Sequence, residues 1–428
     1  MQIKLPLTII LAVLTRFAFA QQPCGTYEYE SYIGSKFKGF SEALDLTRQQ
    51  SANAMNRLNK TENDSIYQIP VVFHIVWRDA VQNIDDSLII SQLKALNESY
   101  NHRHKDTAKV RSIFKPVAGD ARIEFYLANK DPLGKPCTGI NRVKTTRYDF
   151  GETTNLFADA VKFTSDKGVD AWDPEKYLNI WVCKFTYNGT LAVSAYAYPP
   201  VNAKFWNASL YKPLELQGVV INYQFVGKQN PNDVTPTSIR ERTLVHEVGH
   251  YLGLRHIWAD KSNCTGEDDG FKDTPLSRSA TTSYNITKNT CNEGTGDKVD
   301  MIENYMDYTP YPYTIMFTQQ QIQHMRYNLL NLRSKLYRVK TDLPPPPVYA
   351  NISVAPNPVE GNLKIIFDKE GTYSMNIVDI IGQPVADEQF SIGNTFEYNN
   401  PIHVASGIYY LSVLKDNEVV LKQKIVIK

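Results

Sequence analysis

Residues 236–258 read Pro-Thr-Ser-Ile-Arg-Glu-Arg-Thr-Leu-Val-His-Glu-Val-Gly-His-Tyr-Leu-Gly-Leu-Arg-His-Ile-Trp, and this stretch alone supplies a full set of metal-ligating side chains with a base beside them. His246 and His250 stand four apart, so on a helix both imidazoles project from one face about one turn from each other. Gly253 suits the left-handed residue that stops a helix and turns the chain, which returns His256 as a third nitrogen. Three neutral imidazoles and a water form the open tetrahedral site that a catalytic zinc uses. Glu247, next to the first ligand, is placed to take a proton from that water. A bare His-Glu-x-x-His also occurs on ordinary helix surfaces; Gly253 and His256 are what make the pattern specific.

The elements around this stretch must hold it. Ser238 followed by Glu241 just after Pro236 reads as a capping box, and Leu244, Val245, Val248, Tyr251 and Leu252 recur at helical spacing on a buried side. Upstream, residues 69–77 are a dense apolar strand suited to the middle of a sheet, with His74 inside it as a core residue. Residues 84–100 have the spacing of an amphipathic helix and 123–128 return as a strand, which together make a right-handed crossover. Strands follow at 178–185, 191–198 and 216–225, and residues 316–332 form a closing helix after the site.

The chain of 428 residues is 42% hydrophobic, enough to bury a sizeable core in two or three domains. A formal net charge of +1 with no basic run argues against nucleic acid and a membrane surface as partners, so any substrate is recognised locally. Residues 1–20 read as a secretory signal peptide: Lys4, an apolar run from Leu5 to Leu14, and Ala18-Phe19-Ala20 as a cleavage site. The run is too short to span a membrane. Residues 21–65 are polar, with a helical pattern at 40–58, and read as a removable pro-segment. Its one sharp feature is Cys24, because a thiolate can take the water's position on zinc and hold the site latent. The alternative is an unpaired or intermolecular cysteine. A catalytic domain then covers 66–340, a linker of consecutive prolines 341–350, and a separate domain 351–428.

The pattern from His246 to His256, joined by Asn304-Tyr305-Met306-Asp307-Tyr308, resembles the pappalysin family of metzincin proteases across about residues 66–335. The resemblance implies an α+β fold, a twisted mixed sheet plus an active-site helix. It implies Met306 as a hydrophobic base under the zinc ligands, and a Tyr308 hydroxyl that stabilises the tetrahedral intermediate. Pro23-Cys24-Gly25-Thr26 is similar to the family's cysteine switch. Asp269, Asp273 and Thr274 resemble its calcium-binding loop, with Asp269 and Thr274 as ligands and Asp273 as ligand or orienting group; a solvated acidic loop is the other reading. Cys264 and Cys291 are expected to close the irregular stretch 264–300 with a disulfide, which a secreted context allows. Cys137 and Cys183 are a further candidate pair. In the family, a strand such as 216–225 borders the cleft and pairs with an extended substrate, whereas an ordinary core strand has the same sequence pattern. Members that cut before basic side chains carry an aspartate five residues after the Met, where this sequence has Tyr311.

Residues 351–428 alternate short strands, at 363–367, 373–380, 408–414 and 419–427, with Gly and Asn turns, the pattern of a small all-β, immunoglobulin-like sandwich. Val354-Ala355-Pro356-Asn357-Pro358, Gly361-Asn362-Leu363 and Ser406-Gly407-Ile408-Tyr409-Tyr410 resemble the C-terminal sorting domain of the type IX secretion system. That implies a Gram-negative secretor whose outer-membrane export machinery reads this domain, and a secreted or cell-surface protein. The expectation is a monomeric zinc-dependent endopeptidase acting on proteins or peptides and made latent. The alternatives are a non-catalytic zinc-stabilised surface adhesin and an exopeptidase.

Overall fold

The computed structural model describes residues 22–55, 65–151, 157–206, 213–228, 241–265, 268–310, 312–340, 352–367, 370–379, 383–392, 397–401, 403–415 and 418–428. The expected signal peptide, the proline run and Ser238 lie outside them. Two compact units result, Met1–Val339 and Lys340–Lys428.

In the first unit a mixed sheet carries β1 (Gln22–Cys24), β2 (Tyr67–Trp77), β3 (Ile123–Leu127), β4 (Ile140–Lys144), β5 (Leu178–Cys183), β6 (Val193–Ala197), β7 (Val219–Asn222) and β8 (Arg338–Val339). Its order is β1-β6-β7-β5-β2-β3, with β4 and β8 also paired to β2. At 11 residues β2 is long enough to pair with β3 along its first half and with β4 along its second. The crossover from β2 through α3 (Asp86–Tyr100) to β3 returns a parallel strand, as the sequence pattern predicts. The short β8 runs antiparallel to β2, and β6 runs antiparallel to β7. Along the other side of β6, β1 lies parallel.

Strand alternation divides the sheet's side chains between two cores. Ile69, Val71, Phe73, Ile75, Ile180, Val182 and Ile221 face α3, α4 (Arg242–Tyr251) and α5 (Gln319–Leu332). Val76, Trp181, Cys183, Tyr196 and Val220 face the other way, where Tyr29, Ile33, Phe40, Ala43 and Leu44 close over them. Those closing residues belong to α1 (Thr26–Lys36) and α2 (Phe40–Met55), so the N-terminal segment completes a core. Periodicity points to α2 alone; α1 has a weak apolar stripe and forms because the sheet face buries Tyr29 and Ile33.

Several expectations change. The strand at 216–225 contracts to β7 and sits between β5 and β6, so the core reading holds and the strand bordering the edge is β6. Glu241 is the N-cap residue of α4 but its side chain makes no cap bond, and the helix starts at Arg242. The capping box forms instead at α5, between Thr318 and Gln321. Cys137 and Cys183 are unpaired: Cys183 is buried in the sheet while the Cys137 thiol donates to the Ala128 carbonyl. His74 is a core residue, as expected, and accepts from Asn141 while donating to Asn179.

Among the described residues the second unit holds seven strands: β9 (Ser353–Ala355), β10 (Asn362–Ile366), β11 (Gly371–Val378), β12 (Pro384–Ile392), β13 (Glu397–Pro401), β14 (Gly407–Lys415) and β15 (Glu418–Ile427). They form sheets β13-β10-β9 and β12-β11-β14-β15 around Leu363, Ile365, Met375, Ile377, Leu411, Val413 and Ile425. This is the small sandwich, with β9, β12 and β13 beyond the strands the sequence pattern marks.

Candidate metal centre

Every residue of α4 is buried, and the helix presents His246 and His250 on one face. Gly253 follows at φ +99, and a Cβ there would run into Asn328; only glycine lets the chain turn back at this point. His256 thereby arrives beside the other two. Each ring is oriented by an oxygen: His246 Nδ1 by the Tyr305 carbonyl at 2.7 Å, His250 Nδ1 by the Leu254 carbonyl at 2.8 Å, and His256 Nδ1 by Asp260 Oδ1 at 2.5 Å.

Carbonyl and carboxylate oxygens accept, so the ring proton sits on Nδ1 in all three and each Nε2 offers a bare lone pair. Burial pushes His246 down to about 3 and His250 well below the ordinary histidine value, which keeps both rings neutral. The three Nε2 atoms stand 3.0, 3.1 and 3.2 Å apart. Three acceptors that close cannot hydrogen-bond to one another; a cation among them resolves the conflict. A tetrahedral zinc with bonds of about 2.0–2.1 Å would space its nitrogens by about 3.3 Å, so the cluster fits that ion.

A sulfur reaches the same cluster from the N-terminal segment. Pairing of β1 with β6 sets Cys24 opposite Ala195, and the Cys24 sulfur and the three histidine nitrogens all lie within 4.8 Å of one another. The Thr26 amide donates to that sulfur at 3.3 Å. Burial and the Glu247 carboxylate push the Cys24 thiol upward, a preference that a divalent cation beside it inverts.

Glu247 is fully buried, and burial pushes its carboxyl up to about 7. Its Oε2 accepts from the Thr26 hydroxyl at 2.8 Å, and the same hydroxyl accepts from the Ala197 amide of β6 at 2.9 Å. Oε1 has no hydrogen-bond partner among the described residues. Tyr308 donates its hydroxyl to the Cys24 carbonyl at 3.3 Å, and its ring packs on His246, His256 and Trp258. The sulfur, the base and the tyrosine are thus all engaged by residues 24–26.

Met306 lies buried under the cluster, where Gly249 admits it: a Cβ on Gly249 would stand 2.6 Å from the Met306 sulfur. Three residues here escape the sequence reading. Trp258 stacks on His256 with ring centres 4.3 Å apart, and Asp260 orients that ring. Both follow His256 closely in the chain, so proximity to a ligand was the available signal. Thr26 stands in the Cys24 motif, but nothing local gave it a role, because its partner Glu247 is 221 residues away.

In the acidic loop Cys264 and Cys291 form the expected disulfide. Asp269 is buried; Oδ1 accepts from the Thr274 hydroxyl and the Phe271 amide, and Oδ2 has no hydrogen-bond partner among the described residues. Asp273 accepts from the Thr318 hydroxyl and the Gln320 amide at the start of α5. Tyr311 lies outside the described residues.

Comparison with known proteins gives a consistent result. The family profile described as pregnancy-associated plasma protein-A, peptidase M43, matches residues 163–330, and that of the secretion system C-terminal sorting domain matches 353–428. An extracellular metalloprotease of Arthroderma benhamiae is 33% identical over 317 residues, 74% of this chain and 86% of its own. Mature mirolysin of Tannerella forsythia, solved with a cleaved peptide, is 35% identical, with a TM-score of 0.56 over 64% of this chain and 96% of its own. A promirolysin mutant of the same organism is 31% identical, with a TM-score of 0.61 over 74% of this chain and 97% of its own.

Proposed function

The chain belongs to the pappalysin family of metzincin zinc metalloendopeptidases, and from that membership we propose a secreted endopeptidase locked by its own N-terminal segment. The observation that carries the reading is the convergence of Cys24 with His246, His250 and His256 while Thr26 holds Glu247. The three histidines hold zinc, and Cys24 is the fourth ligand as long as residues 21–65 stay attached. Zinc at this position lowers the pKa of a water and polarises the carbonyl of the scissile bond.

Once β1 leaves, the free edge of β6 takes an extended substrate through main-chain hydrogen bonds, a mode that needs no particular side chain. Glu247, freed from Thr26, takes the proton of the attacking water and returns it to the leaving amine. Tyr308, freed from the Cys24 carbonyl, donates to the developing oxyanion. Met306 keeps the floor dry beneath the rings. The buried, unpartnered Asp269 oxygen supports a structural calcium in the 269–274 loop, with Asp273 anchoring that loop to α5. The sorting domain delivers the protein to the type IX machinery, and the exported enzyme acts as a monomer.

The test is digestion of a denatured protein by the zinc-loaded full chain and by its processed form, from which residues 21–65 have been cut and removed, with the fragments sequenced. Internal cuts by the processed form alone support the reading; terminal trimming, no cleavage, or equal cleavage by both forms contradicts it. Cys24→Ala is expected to leak activity, and Glu247→Ala to abolish it in both forms.

A further inference from the structure

On the face of the sheet opposite α4, Tyr29 enters a pocket that the catalytic domain builds without help from the metal centre. Its ring packs against Phe157 and Tyr196, with centres 5.0 and 4.5 Å away, and against Tyr198. At the pocket's end lies a lysine with no exposed side-chain surface, Lys162, paired to Asp159 at 2.8 Å. The Tyr29 hydroxyl donates to Asp159 at 2.9 Å and accepts from Lys162 Nζ at 2.9 Å. The remaining contacts are internal to the catalytic domain: Lys162 to the Leu216 carbonyl, and Tyr196 to Asp159 and the Ala158 amide.

A buried ammonium has three protons to place. Here two go to fixed partners in the catalytic domain, and the third goes to the phenol of the segment above. Taking Tyr29 out leaves that proton and one side of Asp159 without their partner at the bottom of an aromatic slot. A phenol satisfies both groups at once, donating and accepting through one oxygen, whereas a phenylalanine would fill the slot and satisfy neither. Tyr29 follows Thr26 by three residues in α1, about 4.5 Å along the helix axis, so the slot lies one turn from the residue that holds Glu247.

We propose that Phe157, Asp159, Lys162, Tyr196 and Tyr198 form a tyrosine-side-chain site beside the cleft, whose occupant is Tyr29 of the N-terminal segment both before and after that segment is cut from the enzyme. The proposal rests on residues 21–65 being a removable pro-segment, but not on Cys24 being a zinc ligand. Cutting the chain after α2 therefore does not by itself free the cleft. The severed segment stays bound through this slot and through Ile33, Phe40 and Leu44, and activity appears only when it dissociates or is degraded.

The experiment uses the full chain with a foreign protease site inserted between Met55 and Tyr67, cut after purification. Release of the severed segment is followed by gel filtration, and the onset of peptidase activity is timed in parallel. Four forms are compared: unmodified, Tyr29→Phe, Cys24→Ala, and the double substitution. The expected result is a segment that co-elutes with the enzyme and is released roughly 10- to 100-fold faster in the Tyr29→Phe form, the worth of a hydrogen bond to charged groups. The same acceleration is expected in the Cys24→Ala background. Adding Lys162→Met should erase the difference between the unmodified and Tyr29→Phe forms, and Asp159→Asn serves if that variant does not fold. Equal release of the unmodified and Tyr29→Phe segments overturns the proposal while leaving the zinc plug intact. Release unchanged by Cys24→Ala but accelerated by Tyr29→Phe overturns the plug and supports the slot. Immediate release of the unmodified segment overturns the slot.

Discussion

Replacing Thr26 with valine keeps the volume and the branched shape but deletes the hydroxyl that joins Glu247 to β6. Two buried hydrogen bonds go, one of 2.8 Å to the carboxylate and one of 2.9 Å from the Ala197 amide. A bond to a charged group contributes about 1.5–3 kcal/mol and a neutral one about 0.5–1.5 kcal/mol, so the closed form loses roughly 2–4 kcal/mol. In the open form both groups meet water, and the loss falls on the closed form alone. At about 1.4 kcal/mol per decade, the open fraction rises roughly 30- to 1,000-fold even though Cys24 is untouched. The assay is the initial rate of hydrolysis of a quenched fluorescent peptide by the zinc-loaded full chain, divided by the rate of the same preparation after processing. Thr26→Ser keeps the hydroxyl and should stay within several-fold of the unmodified chain. A valine variant as quiet as the unmodified chain, or one no leakier than the serine variant, would refute the argument that the segment restrains the base as well as the metal.

Four further outcomes follow from the same geometry. Asp260→Ala removes the carboxylate that fixes the His256 ring and should lower zinc affinity about 10- to 100-fold, read by competition with a chromophoric chelator. Burial holds His74 down to about 4, against the opposing pull of its bond to the Asn179 carbonyl oxygen, so its contribution is full above the unfolded value near 6.5 and is lost as pH falls toward 4. That contribution is about 3 kcal/mol, and denaturant titrations at pH 7 and 4.5 should show a smaller acid loss in His74→Gln. A calcium-selective chelator should lower the melting temperature by several degrees if Asp269 holds that ion, and an unchanged curve would remove it. Deleting residues 351–428 should leave the protein in the periplasm, which fractionation and blotting would detect; normal export would rule out the sorting role.

The residues that determine the metal centre were legible because their spacing is local. Four positions on a helix and a glycine turn place His246, His250 and His256 with little help from the rest of the chain, and the Asn304–Tyr308 stretch was picked out by its resemblance to the Met-turn of the family. The disulfide between Cys264 and Cys291 was legible for the same kind of reason, as two cysteines framing one irregular loop. Strand order was not. An apolar run such as 216–225 satisfies an inner or an outer place equally, and only the strand pairing of the folded sheet puts β7 between β5 and β6 and leaves β6 next to the edge strand β1.

The N-terminal segment shows the division most clearly. The sequence alone set out a cysteine able to bind zinc, since thiolate chemistry belongs to the residue wherever it sits. What Thr26 and Tyr29 do was decided by the tertiary structure, because a hydroxyl has no fixed role until burial gives it partners. Those partners, Glu247 and Ala197 for one and Asp159 and Lys162 for the other, come from distant parts of the chain that only the folded sheet brings together.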